Sequence, residues 1–343
     1  MWKRIQLIIL IGCLIASCAK HKDYEEPVFK TSYSLESEII ASGDSLMTRY
    51  VYGLYVDNQY AYILALSEDY WLQVRDKETG ALICRGVHSG QGPGEVIFGY
   101  QLRYNAVDDA LEIFDKHQYK VVSYKMNTAS KSLDLIRENY FTDYDGVVRN
   151  AYHLSENQWL VEGQLSTKES GRYLLWDGKD VTAEYSQHIT ETDDYLKDML
   201  IEVTSKVSIS PKGDRLAIGT VYGGILELFS IGSDIKRVGR GIFYEPKVDL
   251  VDGNMRPRDD TVFGFADIEA TNDEVYAVLM GTTDPNKYDV ICTFGWNAQG
   301  KIRYQADCQV FKLANIPVVD GILYAISISE DDFNLVKMKL PSS

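Results

Sequence analysis

Asp57-Asn58-Gln59-Tyr60-Ala61-Tyr62-Ile63-Leu64 places a polar turn directly ahead of an apolar and aromatic run. The same order returns as Asp108-Asp109-Ala110-Leu111-Glu112-Ile113-Phe114, Glu156-Asn157-Gln158-Trp159-Leu160-Val161 and Lys212-Gly213-Asp214-Arg215-Leu216-Ala217-Ile218. It appears twice more, as Asn272-Asp273-Glu274-Val275-Tyr276-Ala277-Val278 and Asp320-Gly321-Ile322-Leu323-Tyr324-Ala325-Ile326. With Asn58, Asp109, Asn157, Gly213, Asp273 and Gly321 taken as equivalent, the copies lie 48 to 60 residues apart, close to the roughly 40–50 residues of a four-stranded propeller blade. Each copy reads as the turn between a blade's first and second strands. Asn, Asp and Gly suit the positive φ of a tight turn, and the strand that follows is apolar on both faces because it lies between neighbouring blades. The expectation is an all-β, six-bladed β-propeller.

Further hairpin signals fall in register. Asp76-Lys77-Glu78-Thr79-Gly80, Trp176-Asp177-Gly178-Lys179 and Asn297-Ala298-Gln299-Gly300 read as turns between third and fourth strands. Thr192 to Thr204 offers at most one short helix. After Phe333 to Leu340 the sixth copy stops one strand short, and the β-prone stretch from Phe29 to Ile40 is available to supply it. Closing the ring this way removes an unpaired edge.

Ser210-Pro211-Lys212-Gly213-Asp214-Arg215-Leu216-Ala217 resembles the repeat of TolB-type propellers, and Gly90-Gln91-Gly92-Pro93-Gly94-Glu95 resembles a signature of TolB-like six-bladed propeller lipoproteins. The resemblance implies a lipoprotein with this fold and brings no catalytic residues with it. The other copies depart from the TolB pattern, and the Trp-Asp endings, Gly-Gly pairs and Asp-boxes of other propellers are missing.

The beginning of the chain reads as an address. Lys3 and Arg4 precede an apolar run from Ile5 to Ile11 and then Leu14-Ile15-Ala16-Ser17-Cys18, a run too short to span a bilayer and ended by small residues, as in a secretion signal. The last five residues resemble the lipobox of bacterial lipoproteins, which implies acylation (palmitate) at Cys18. An ordinary cleavable signal with an incidental cysteine is the alternative. The resulting division is a signal peptide at 1–17, a lipidated tether at 18–27 and the propeller at 28–343. Ala19 after the cysteine resembles the pattern of outer-membrane lipoproteins, and Lys22-Asp23 with Glu25-Glu26 resembles the export tether of surface-exposed ones. The expected location is the bacterial cell envelope, as an outer-membrane lipoprotein facing the periplasm or the surface.

A formal net charge of −15, two units more negative once Lys3 and Arg4 are removed, argues against nucleic acid and against adhesion to anionic lipid. Membrane contact is expected through the lipid anchor alone. Cys84, Cys292 and Cys308 are odd in number, so at least one is expected to be a free thiol. A hairpin centred between Ala298 and Gln299 would set Cys292 opposite Gln305 and hold it beyond disulfide reach of Cys308 unless a bulge shifts the register.

The loop from Gly90 to Glu95 joins the first two blades on the face where propellers bind ligands. Its glycines can form an anion nest, or the loop can be an ordinary turn whose Glu95 caps its own backbone. His88, Gln91 and Arg103 are close enough in sequence to join Glu95 in a site. Longer connections add Tyr144, in the stretch 140–145, the acidic run 191–195, and Tyr244, Arg256 and Arg258, in the stretch 244–260. Tyrosine faces, guanidinium groups and carboxylates suit a carbohydrate or peptide. Catalytic signatures are weak: the five histidines show no metal-ligand spacing, no Gly-x-Ser-x-Gly elbow or Asp-x-Asp-x-Asp-Gly loop occurs, and the pairs Asp259-Asp260 and Asp331-Asp332 read as solvated turns. Neither metal nor cofactor is expected. The reading is a non-catalytic binding or scaffolding propeller for a glycan, peptide or envelope-protein partner. The alternative is a polysaccharide hydrolase or lyase using central-face carboxylates.

Overall fold

The computed structural model describes residues 24–341, apart from 143, 166–171, 191–193 and 331. The signal region and Cys18 lie outside the described residues, as do Asp143, Glu191 to Asp193 and Asp331. The chain forms six blades. Blade one comprises Gly53–Val56, Tyr60–Ser67, Tyr70–Asp76 and Leu82–His88, hydrogen-bonded in that order from the axis outward. Blade two comprises Gly99–Asn105, Ala110–Asp115, Lys120–Asn127 and Ser132–Tyr140; blade three comprises Gly146–Ser155, Gln158–Leu165, Tyr173–Trp176 and Val181–Tyr185. Blade four comprises Lys206–Ile209, Arg215–Gly219, Ile225–Ile231 and Ile235–Ile242, and blade five Phe263–Ala270, Val275–Thr282, Val290–Phe294 and Gly300–Ala306. Blade six takes Gln309–Val319, Ile322–Ser329 and Asp332–Lys339 from the end of the chain.

The second strands explain why the repeat is legible. Side chains alternate across a strand, so a strand buried on both faces feeds two cores. In blade one Tyr60, Tyr62 and Leu64 pack toward blade two, while Ala61, Ile63 and Ala65 pack toward blade six. Each of the six seams between blades carries such a cluster. Outer strands half-face solvent, and Val181–Tyr185 alternates between exposed and partly buried positions accordingly.

All six repeat turns fall between first and second strands, but positive φ is used at only three of them, by Asp109, Gly213 and the Asp320-Gly321 pair. At two of the others side chains close the turn. The Asp57 carboxylate accepts the Gln59 and Tyr60 N–H groups at 2.7 Å, and Thr271 Oγ1 accepts that of Glu274 at 3.1 Å. The short helix is Tyr195–Thr204, capped by Asp194, whose side chain accepts the Lys197 N–H.

The beginning of the ring differs from the sequence expectation in one respect. The segment from Phe29 to Ile40 is two strands with separate destinations. Ser37–Ala41 pairs antiparallel with Asp332–Lys339 and completes blade six, as expected. Thr31–Leu35 adds instead to blade five as a fifth strand, parallel to Gly300–Ala306. Upstream, Glu25 N donates to Ile242 O of blade four at 3.2 Å. The segment is therefore a strap across three blades. Gly80, at φ +69°, lets the outer turn of blade one approach it; a Cβ there would stand 2.2 Å from the Ile40 carbonyl oxygen.

Cys84, Cys292 and Cys308 are all free thiols. Cys292 faces Arg303 rather than Gln305, because the hairpin is centred on Asn297, with Phe294 opposite Gly300, and the one-residue register shift between Thr293 and Phe294 recovers only part of the difference.

Candidate functional site

The first strands of the blades converge on the axis, and their upper ends line a single pocket of about 520 Å³. Every blade contributes: Tyr50 and Tyr52 lead into blade one, Gln101 belongs to blade two, Asn150 to blade three, Lys206 to blade four, Asp267 to blade five and Lys312 to blade six. Tyr100, Phe263, Tyr288 and Phe311 add aromatic surface. Tyr50 and Tyr100 stand at 45% and 39% exposure; Tyr50 is braced edge-on by Phe311 at 5.4 Å, and Lys116 Nζ sits over the Tyr100 ring at 4.7 Å.

Contacts across the axis close the pocket below. Asn315 of blade six accepts the Tyr104 N–H of blade two at 2.9 Å and donates to Glu269 of blade five at 2.9 Å; Ser208 of blade four donates to the same carboxylate at 2.8 Å. Lower still, Ala106 N of blade two donates to Pro211 O of blade four at 3.0 Å.

The pocket is charged as well as aromatic. Lys312 Nζ lies 2.7 Å from Asp267 Oδ1 and 3.5 Å from Glu269 Oε1. Burial opposes its charge, yet the two carboxylates outweigh burial and hold the ammonium protonated above the usual lysine range. Glu269 is pushed up to about 7, chiefly by burial, with Lys312 opposing and Asp267 adding to the shift. Glu162 is also raised by burial, against the pull of Arg149 at 3.5 Å. Lys206 is shifted the other way: burial lowers its proton affinity, Asp267 opposes and Lys312 reinforces the drop.

Glu269 makes stability pH-dependent in a defined direction. Its unfolded-state value of 4.5 lies below the folded one of about 7, so between them the folded chain binds more protons than the unfolded chain. Its contribution is full below about pH 4.5 and is lost as pH rises through about 7. Glu269→Gln should therefore flatten part of the fall in urea midpoint between pH 5 and pH 7.5; an unchanged slope would show that another group titrates.

None of the eight residues singled out from the sequence lines this pocket, and the fold separates them. His88, Gln91 and Glu95 share the turn between blades one and two. There the Glu95 carboxylate accepts the Gly92 N–H at 2.7 Å and fills the space beside Gly90, so the anionic group at this loop comes from the chain itself. His88 packs on Tyr70 at 4.3 Å between ring centroids. Arg103 is buried in the seam of blades two, three and four, donating to Glu112 at 3.3 Å, His153 O at 3.0 Å and Ser210 O at 3.4 Å. Tyr144 is buried edge-on against Trp176. Tyr244 is half-buried against Gly224. Arg256 and Arg258 are exposed on or beside the ribbon Val248–Val251 and Asn254–Pro257, where Arg258 Nε donates to Asp249 at 2.8 Å.

The pocket residues that sequence reasoning missed carry a positional signal. Tyr50, Gln101, Asn150, Lys206, Asp267 and Lys312 each stand six to nine residues ahead of a repeat turn. That is one inner strand's length back toward the upper face.

Among the described residues, one group has metal-ligand geometry that spacing did not suggest: Asp108, Glu112 and His153 offer atoms within 4.8 Å of one another. Arg137 Nη2 stands 2.7 Å from Asp108 and 3.0 Å from His153 Nδ1, and Arg103 binds Glu112. Two guanidinium groups already balance the carboxylates and would repel a cation. The group reads as an ion-pair network joining blades two and three.

No family model matches the chain, and no curated protein does. Among solved structures, the "Putative exported protein" of Bacteroides fragilis superposes with a TM-score of 0.56 at 14% identity, covering 93% of this chain and 99% of that one. A DUF4221 family member from Bacteroides vulgatus gives 0.49 at 10% identity, covering 90% and 99%. The likeness is one of fold. It accords with the six-bladed ring described above.

Proposed function

We propose that this protein is a non-catalytic binding propeller of a bacterial cell envelope, TolB-like in its repeat, acylated at Cys18 and tethered through residues 18–27. Its axial pocket takes a polar ligand, a glycan or a peptide. The carrying observation is that five inner strands and the segment leading into the inner strand of blade one deliver aromatic faces and charged or amide groups into one cavity closed below, within the roughly 300–1,000 Å³ of small-ligand sites. The envelope address is supported by the order Lys3 to Cys18, and the name of the Bacteroides fragilis protein, an exported one, is consistent with it.

The raised carboxyls Glu162 and Glu269 favour a second reading, polysaccharide hydrolysis or elimination. Glu162 lines the pocket, but Glu269 lies beneath Lys312 and does not, so among the described residues no pair of free carboxylates faces a ligand. Residues 24–343 contain every strand of the ring, and a thermal-shift screen of that chain against glycans, peptidoglycan fragments and short peptides tests the proposal. A ligand at 100 times its dissociation constant should add about 2.7 kcal/mol, and product analysis of each hit separates binder from enzyme. Hits unaffected by Ala266→Trp, which fills the pocket, would move binding elsewhere. The absence of any shift would turn the proposal toward an envelope-protein partner.

A further inference from the structure

We infer that the axial pocket selects a sugar bearing a carboxylate, and that Lys206 is the residue that holds that carboxylate. The inference rests on the pocket being the binding site and narrows what it accepts. The other charges of the pocket are spoken for: Lys312 with Asp267 at 2.7 Å and Glu162 with Arg149 at 3.5 Å. Lys206 opens the inner strand of blade four and lines the same cavity, yet among the described residues it makes neither an ion pair within 4.0 Å nor a side-chain hydrogen bond. Lys206 is partly buried and, among the described residues, has no protein partner for its charge, and an anionic ligand closing over it would supply one. The depressed proton affinity of Lys206 records the same deficit.

The surroundings narrow the anion further. The chain carries −15 overall, so its long-range field repels anions, and a cation kept free inside the pocket is a local exception. Tyr50 and Phe311 offer aromatic surface, while Gln101 and Asn150 bring amide groups suited to hydroxyls. A uronic acid joins these demands in one ring: a face to stack, hydroxyls beside it and a carboxylate at its edge. An acidic peptide would meet the lysine but leave the aromatic faces with little to cover.

Calorimetric titration of residues 24–343 tests this with oligomers of galacturonate, glucuronate and mannuronate, their neutral counterparts of equal length, and triaspartate. At least one uronate should bind at least about tenfold more tightly than its neutral counterpart, as a charge-assisted hydrogen bond would give. Lys206→Met should bring that affinity down to the neutral value, Lys206→Arg should retain part of it, and the melting midpoint of Lys206→Met should not fall. Equal binding of charged and neutral sugars would overturn the carboxylate inference and leave the pocket reading standing. A preference that survives Lys206→Met would overturn the role of Lys206, and binding of triaspartate alone would overturn the sugar. Uronate binding that persists in Ala266→Trp would overturn the pocket reading as well. Binding of no probe would overturn the inference.

Discussion

A chain lacking residues 24–41 should lose cooperative folding or melt at least about 10 °C below the intact protein, since roughly 5 kcal/mol moves the midpoint of a chain this size that far. The deletion removes the outermost strand of blade six and the parallel fifth strand of blade five together. Leu35 and Ala41, both buried, leave their seams, and a buried Leu alone is worth about 1.5–3 kcal/mol. The hydrogen bonds of two strands, each worth about 1 kcal/mol net, are lost with them. Asp332–Lys339 would become an open edge, so the shortened chain should also scatter light at concentrations where the intact one does not. Adding a peptide of residues 28–42 in trans should restore the midpoint. Deleting only 24–28 leaves both strands and should change it little. A shortened chain that melts with the intact protein would show that the ring closes without its strap.

The second large effect is expected at Arg103. Arg103→Met should cost about 3–5 kcal/mol, the range seen when one member of a buried ion pair is removed. Its guanidinium group is 2% exposed and joins Glu112, His153 O and Ser210 O, contacts that belong to three different blades. Methionine fills most of the volume but leaves Glu112 short of one cation, while His153 O keeps Asn105 Nδ2 and Ser210 O keeps the Gly213 N–H as donors. Urea unfolding at pH 7 measures the change. A loss under about 0.5 kcal/mol, typical of surface substitutions, would show that the network tolerates the missing charge. Ligand affinity per folded molecule should be unaltered, because Arg103 lies outside the pocket.

Arg103 also shows where the sequence is readable and where it is not. Its position in an inner strand followed from the Asp108-Asp109 turn, but nothing local reveals whether a strand residue points to a seam or to the axis. The second strands were readable because double burial leaves a continuous apolar run, as in Tyr60 to Ala65. The strap was half-readable: β-propensity marked Phe29 to Ile40, while the switch of partner at Glu36 depends on an edge that blade five offers only in the folded ring. Cys292 was misplaced by two residues because the hairpin turns about Asn297 rather than between Ala298 and Gln299, and neither that centre nor the one-residue shift beyond it leaves a mark in composition. The site itself was sought in loops, where polar residues are conspicuous. The pocket is built instead by inner-strand residues such as Lys206 and Lys312, brought together by radial convergence and unrelated to one another in sequence.

The strap has a consequence for the order of events. Its closing strand, Ser37–Ala41, must meet Leu335 to Met338, so a strand pairing across about 300 residues is the one that completes the ring. Loop closure over such a separation is entropically slow and comes late in folding. During synthesis the five earlier blades can assemble one after another, whereas blade six waits for residues 332–339 to emerge. Until then the nascent chain holds two unsatisfied edges nearly its whole length apart, and in that interval it depends most on whatever shields it from other chains.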